Sequence, residues 1–472
     1  MNSAYIISFV AYFAFFLGLS IYFYRKNKNA GAFILGNRSV SYWVAAIAAQ
    51  ASDMSDWLFM GYPGLIYGCG LFYGWVAIGL IIFMFLNWQF VAPKLRKATE
   101  YYESVTLASF FERRFHDHSG ALRLMTVFFT LFFLSFYIAA GLLGLGRLFE
   151  STFGLSYHYG IAISIFIVVI NILIGGFIAV AWGDMFRGLF LLAMILIVPF
   201  VAWGSMAVHP DFGFHTLMHA LIPSVSYSTL TQIITLAFGW GLGYFGSPHI
   251  LINFMGIKET SKISKAKWIG ISWQVIVLTA ATLIGMLGTT FFAQPIANRE
   301  LVFIEMVKAL FHPIAAGLIL CAIFAATMSV MTAQILATAS NISEDFIKRI
   351  ITKPLSAGAS LFIIRACVVF LPLIAYAISY NSTSSVNDLV SYAWSGLGLA
   401  FAPAVIAALY LPRTNKYGAS AGMLFGGVTG MIWPYLHMNF MPLLPGFAIG
   451  LSLITSISYA TTSHQKNKDA HE

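Results

Sequence analysis

Two acidic residues are the ones best placed to do chemistry in this 472-residue chain: Asp53 and Asp56, in the stretch Ala51-Ser52-Asp53-Met54-Ser55-Asp56-Trp57. They sit in the middle of a long apolar run. A short side chain there cannot reach water, and an ionised carboxylate costs on the order of several kcal/mol unless it is paired or solvated. Either both acids are protonated and hydrogen-bonded to neighbouring helices, or they serve a cation. Serines and aspartates this close together compete for backbone hydrogen bonds, which favours a break in the helix. A break frees carbonyl oxygens at mid-membrane, and carbonyls with a carboxylate are the hard ligands that a dehydrated small cation requires.

A second interruption is written into Gly239-Trp240-Gly241-Leu242-Gly243-Tyr244-Phe245-Gly246-Ser247-Pro248, where glycines and a proline make a continuous helix unfavourable. Gly241, Gly243 and Gly246 fit G-x-G-x-x-G, but no strand or βαβ unit precedes them, so a dinucleotide site is rejected. Trp240 and Tyr244 are four apart and share a face if the backbone is helical, either as packing or as the walls of a small-solute pocket. A third polar group, Thr327, Ser329, Thr332, Gln334, Thr338 and Ser340, lies in another apolar run. Ser329 and Thr332 can face the same way and complete a cation site, or their hydroxyls can bond back to their own helix. His116 and His118 lie in a charged loop without cysteine partners and read as solvated.

The elements that must position these residues are membrane helices. The chain is 59% apolar and only 9% charged, which excludes a water-soluble globule. Cys69, Cys321 and Cys367 imply no disulfide framework. Runs of roughly 20 apolar residues, enough to cross a bilayer core, fall near residues 4–24, 41–66, 74–92, 124–146, 158–180, 188–208, 228–254, 269–293, 313–340, 361–379, 389–411, 418–437 and 441–462, thirteen in all. Arg25, Lys26 and Lys28 follow the first run and no cation precedes it, so it reads as a retained helix with its N-terminus outside. Alternating sides from there leaves only Arg147, Arg299 and Lys308 of the 26 Lys and Arg outside and puts the C-terminus in the cytoplasm. Arg187 counts as an inside-loop cation on this scheme, and Arg365 snorkels from the end of its span. The net charge of +9 therefore points to a plasma-membrane orientation rather than to nucleic acid. The interrupted runs are the second and the seventh, the pattern of two five-helix units with a central site.

With these residues in view, the chain resembles the solute:sodium symporter family, in particular its bacterial members that carry proline. The resemblance rests on Phe33-Ile34-Leu35-Gly36 with Arg38-Ser39, on Ala51 to Trp57, on Arg147-Leu148-Phe149-Glu150-Ser151-Thr152-Phe153-Gly154, on Gly239 to Ile250 and on Leu389-Val390-Ser391-Tyr392-Ala393-Trp394. It implies an all-α membrane protein with a five-plus-five inverted-repeat core and a broken first helix in each repeat. On that plan residues 1–40 form an extra helix and loop, 41–411 the core, with repeats at 41–208 and 228–411, and 412–472 two further helices and a tail. The resemblance implies a sodium site from the carbonyls of Ala51, Met54 and Ala326 and the hydroxyl of Ser329, with Asp53 as the acid needed for coupling. It implies a substrate site of Ser55, Trp57, Tyr137, Trp240, Tyr244 and Pro248.

Two positions depart from the family pattern. Val330 stands where a second hydroxyl is usual, and Asp56 where glycine is usual. Asp56 or Thr332 would then supply the missing oxygen, or protons replace sodium, since two neighbouring acids can share one proton. The expectation is a secondary symporter that imports proline or a similar small amino acid, coupled to inward sodium or, alternatively, proton flow. No Walker A, H-E-x-x-H or G-x-S-x-G motif is present, so no enzyme is expected.

Overall fold

A backbone that lies in hydrocarbon must satisfy its own N–H and C=O groups, and helix is the form that does so within one segment. The computed structural model describes residues 3–24, 40–347, 357–380, 383–438 and 440–469, and among these there are helices but no strand. In chain order they are α1 (Ser3–Tyr24), α2 (Tyr42–Ala51), α3 (Gly61–Cys69), α4 (Trp75–Leu86), α5 (Ala92–Tyr101), α6 (Leu107–Arg114), α7 (Ala121–Phe153), α8 (Tyr157–Ser205) and α9 (Phe214–Leu221). There follow α10 (Tyr227–Gly241), α11 (Pro248–Met255), α12 (Ile263–Phe291), α13 (Val302–Leu310), α14 (Pro313–Ser340), α15 (Ala357–Ser379), α16 (Val386–Tyr410), α17 (Lys416–Ile432) and α18 (Leu443–Asp469).

Among the described residues, eight helices are long and apolar enough to cross a membrane, and Ser3–Leu19, Tyr42–Ala51 and Tyr157–Leu173 are shorter apolar helices. Large apolar side chains such as Ile7, Phe166, Phe200, Phe362 and Phe370 point outward, as expected of a surface that meets lipid. The middle is built around α14, buried at every position from Ile319 to Ser340. It packs against α1, α7, α8 and α15.

The second and seventh apolar runs are both interrupted. Between α2 and α3 the chain leaves the helix at Ser52 and makes one 3-10 turn at Asp56–Leu58. The serines take part in the break: Ser52 Oγ donates to Ala49 O at 3.1 Å, and Ser55 Oγ accepts from Trp57 N at 3.2 Å. Between α10 and α11 a 3-10 turn covers Leu242–Gly246, and Pro248 opens α11 at a position where a missing N–H costs nothing. The glycines here serve close packing. A methyl group on Gly243 would overlap the indole of Trp394, and one on Gly246 would come within 2.7 Å of Ala402 N.

One long helix hides a reversal. Helical backbone runs over the 49 residues of α8, yet Arg187 Nη2 donates to Asn171 Oδ1 at 3.2 Å. Sixteen residues of straight helix rise about 24 Å, more than two side chains can bridge. The run therefore doubles back between them.

This corrects the charge assignment of Arg187. It is not a loop cation: its side chain is 1% exposed and pairs with Asp184 at 3.1 Å, so two further charges lie inside the helical body. Arg25, Lys26, Lys28, Arg38, Lys348, Arg349, Lys353 and the Phe33 to Gly36 motif lie outside the described residues.

Candidate functional site

The two breaks face each other. Tyr244, in the 3-10 turn after α10, donates its hydroxyl hydrogen to Asp53 Oδ2 at 2.6 Å, in the break after α2. The Tyr244 hydroxyl oxygen in turn accepts from Gln274 Nε2 of α12 at 2.8 Å. From α11, Asn253 Nδ2 donates to Ser52 Oγ at 3.1 Å, a second tie between the breaks. Trp394 of α16 donates its indole N–H to Trp240 O at 2.7 Å, capping a carbonyl that the end of α10 leaves open.

Asp53, Met54, Trp57, Leu80, Tyr137, Trp240, Tyr244, Val390 and Trp394 surround one cavity at this junction. Its walls are aromatic. Trp57 and Trp240 rings lie 4.9 Å apart, and Tyr244 and Trp394 meet edge to face at 5.1 Å. The walls close on about 10 Å³ open to the centre of a water molecule, room for a single water. A proline-sized solute enters only when these walls part.

Of the positions named for a cation, Asp53 and Met54 line this cavity, while Ala51, Ala326, Ser329 and Thr332 do not. The carbonyls of Ala51 and Met54 receive no hydrogen bond from a backbone N–H among the described residues. Gly188 of α8 packs against Ala51, close enough that a methyl there would sit 3.1 Å from the Ala51 Cβ. One turn earlier on the same helix, the carboxylate of Asp184 faces the hydroxyl of Ser329 on α14. Ser329 Oγ is fully buried and makes no hydrogen bond of ordinary geometry, the Asp184 carboxylate being the polar group it faces. Thr332, by contrast, donates back to Met328 O at 2.5 Å, the helix-internal alternative that the sequence had left open. Ala326 and Val330 are buried on the same helix, and Val330 offers no side-chain oxygen.

Asp56 lies against α7. It is fully buried, neither carboxylate oxygen makes a hydrogen bond of ordinary geometry, and it fills the space where a side chain on Gly144 of α7 would lie. Of the residues named for substrate, the structure brings Trp57, Tyr137, Trp240 and Tyr244 together on one wall system. Ser55 caps the 3-10 turn and Pro248 opens α11, both buried and neither lining the cavity.

Residues that sequence reasoning passed over complete the arrangement. Asp184, Gln274 and Trp394 are described above, and above the cavity lies a polar closure. Arg147 of α7 pairs with Glu300 at 2.5 Å, Glu300 accepts from Val386 N and Asn387 N at 3.1 Å each, and Trp57 Nε1 donates to Asn387 Oδ1 at 3.0 Å. Beyond this closure a cavity of about 890 Å³ opens between Tyr67, Arg147, Asn298, Arg299 and Ser385. The signal available in the sequence was slight: single polar residues such as Gln274 inside apolar runs, each expensive to bury without a purpose.

The comparisons bear on a site already drawn. The sodium:solute symporter family model matches residues 33–426. The chain is 35% identical over 446 residues to the high-affinity proline transporter PutP of Bacillus subtilis, covering 93% of this chain and 94% of that one. It is 36% identical over 470 residues to the osmoregulated proline transporter OpuE of the same organism, covering 97% and 94%. A solved structure of a Na+-coupled sialic acid symporter, in a substrate-bound outward-open state, superimposes with a TM-score of 0.81 at 18% identity over 96% of both chains, a likeness of fold. The chain belongs to the sodium:solute symporter family.

Proposed function

We propose that this protein imports proline, or an amino acid of similar size, by alternating access with sodium as the coupling ion. Family membership supports a symporter with sodium as its coupling ion. The proline reading draws on relatives named as proline transporters. The observation that carries the reading is Tyr244: its ring lines the cavity while its hydroxyl holds Asp53. One side chain thus touches both the substrate space and the acid assigned to the ion, which is what coupling requires.

In this reading sodium lies between the carbonyls of Ala51, Met54 and Ala326 and the hydroxyl of Ser329, with Asp184 facing that hydroxyl as the nearby charge. The buried Ser329 Oγ, with no hydrogen bond of ordinary geometry, and the unused carbonyls of Ala51 and Met54 fit a hard cation that prefers oxygen. Thr332 stands as a weaker ligand, its proton committed to Met328 O. Trp57, Tyr137, Trp240 and Tyr244 enclose the apolar ring of proline. Ser55 and Pro248 shape the breaks around it, and half-helix N-termini take its carboxylate. The thirteen spans, the repeats at 41–208 and 228–411 within a core of 41–411, and an outside N-terminus with a cytoplasmic C-terminus belong to the same proposal. A plasma-membrane location goes with them.

Asp56 favours a second reading, coupling by protons, because a buried carboxyl with no ion pair among the described residues is far less costly to keep protonated than ionised. Uptake of labelled proline into proteoliposomes, with sodium and pH gradients imposed separately, decides between them. Each inward charge is worth about 2.3 kcal/mol per 100 mV, roughly a fifty-fold accumulation. Accumulation driven by sodium at equal pH is expected, whereas accumulation driven by a pH gradient without sodium would overturn the sodium reading.

A further inference from the structure

Tyr244 has one hydroxyl hydrogen and two neighbours that want a defined orientation of it. Gln274 Nε2 donates to the Tyr244 oxygen, so the tyrosine's own hydrogen is left for Asp53 Oδ2. Its backbone is held as well: Asn87 Nδ2 donates to Tyr244 O at 3.1 Å. Asn87 begins a π-helical turn, Asn87–Val91, inserted between α4 and α5. Such turns interrupt regular helices and are found frequently at functional sites. Gln274 and Asn87 are both fully buried, and the oxygen of each amide has no hydrogen-bond partner. Residues kept at that expense, neither of them lining the cavity, call for a purpose.

We infer that Gln274, supported by Asn87, is a positioning residue for coupling: it fixes the direction of the Tyr244 hydroxyl hydrogen and so keeps Asp53 an acceptor while the Tyr244 ring shapes the cavity. The inference rests on the reading of Asp53 and Tyr244 given above. Gln274 touches neither ion nor substrate, and it acts through Tyr244 alone. Its removal therefore weakens the response to sodium more than the fit of proline, and has little to remove once the tyrosine hydroxyl is gone.

The test is proline uptake by the full chain in proteoliposomes, with sodium titrated at fixed proline and proline titrated at saturating sodium. Gln274→Met removes the donor at nearly constant volume. The half-saturating sodium concentration is expected to rise about five-fold, the effect of one net hydrogen bond, with the proline KM moving less than about two-fold. In a Tyr244→Phe background the same change is expected to add less than two-fold. Gln274→Glu keeps the shape and serves where the methionine variant does not reconstitute. It sets a second acceptor before the same hydroxyl and is expected to raise the sodium requirement further, by about ten-fold. An unmoved sodium requirement in these variants, or an undiminished effect in the Tyr244→Phe background, overturns the inference. A wild-type protein without sodium-stimulated proline uptake would instead overturn the proposed function and leave the inference without its basis.

Discussion

The closure above the cavity gives the sharpest perturbation, Glu300→Gln. The glutamate side chain is 3% exposed and its Arg147 partner 20%, so the pair is largely shielded from solvent. Glu300 also receives two backbone N–H groups at the start of α16, at 3.1 Å each. Glutamine keeps one oxygen acceptor for the helix end but loses the charge that holds Arg147. A hydrogen bond to a charged group contributes about 1.5–3 kcal/mol, and Arg147 keeps its second bond, Nη2 to Ser384 O at 3.1 Å. A loss of about 2 kcal/mol in the closed arrangement follows, roughly a thirty-fold shift toward the open one. Val390, 1% exposed and lining the cavity, reports on this. In a background without Cys69, Cys321 and Cys367, a Val390→Cys protein is treated from outside with a membrane-impermeant thiol reagent. Labelling is expected to accelerate ten- to thirty-fold with Glu300→Gln, on the same arithmetic, while uptake slows because closure has become unfavourable. Unchanged labelling and unchanged uptake would refute the reasoning, since the bond would then be an ornament of the surface rather than a latch.

Asp53→Asn is expected to remove the dependence of uptake on sodium, and a sodium titration indistinguishable from wild type would end the role given to that carboxylate. Gly144→Ala places a methyl group in the space of the Asp56 carboxylate and is expected to cost about 1–3 kcal/mol as overpacking, read as a lowered melting temperature of the purified protein. Asp56→Gly in the same chain should restore it, and failure to do so would mean that α7 is crowded by something else. Val330→Thr puts a hydroxyl beside Ser329 at nearly constant size. A several-fold fall in the sodium concentration for half-maximal uptake is expected, against a plain loss of stability if no cation comes near.

Much of this was legible because breaking a helix in a membrane demands conspicuous residues. Serines beside aspartates, and glycines before a proline, marked both interruptions, and aromatic residues within them, Trp57, Trp240 and Tyr244, do converge on one cavity. Arg187 was misread, and its partner Asp184 passed over, for a physical reason. Charges between two apolar runs normally lie in a loop, and nothing local distinguishes a pair that folds back under α1. Gln274, Asn87 and Asn387 carry no pattern at all. Their meaning lies in partners 30 to 330 residues away, and periodicity along a chain holds no information about such pairings. Ser329 and Thr332 show the same limit from the other side. Their spacing puts them on one face, but only the packing decides that Thr332 satisfies itself within the helix while Ser329 does not.

The two faces of the molecule are fastened in different ways, and that bears on how a cycle is possible. Opposite the Arg147–Glu300 closure, Arg123 at the start of α7 reaches Glu112 at 2.6 Å and Asp345 at 3.4 Å. There too Lys258 N donates to Val40 O at 3.2 Å, and Arg96 Nε donates to Ile257 O at 2.6 Å. The Val40–Ile257 bridge ties the chain before α2 to the chain after α11, the matching ends of the two broken runs. With both sets of bonds made, the central cavity has room for one water, so each direction of opening must sacrifice one set while keeping the other. The sets must then be close in strength, within the few kcal/mol that ion and substrate binding can supply. A fastening much stronger on one side would hold the cycle there, because a bound ligand shifts an equilibrium only by its difference in affinity for the two states. The ties on the Arg123 side are spread over several elements, whereas the Arg147 side depends chiefly on Glu300. Opening toward the Arg147 side is therefore the step that a single substitution changes most.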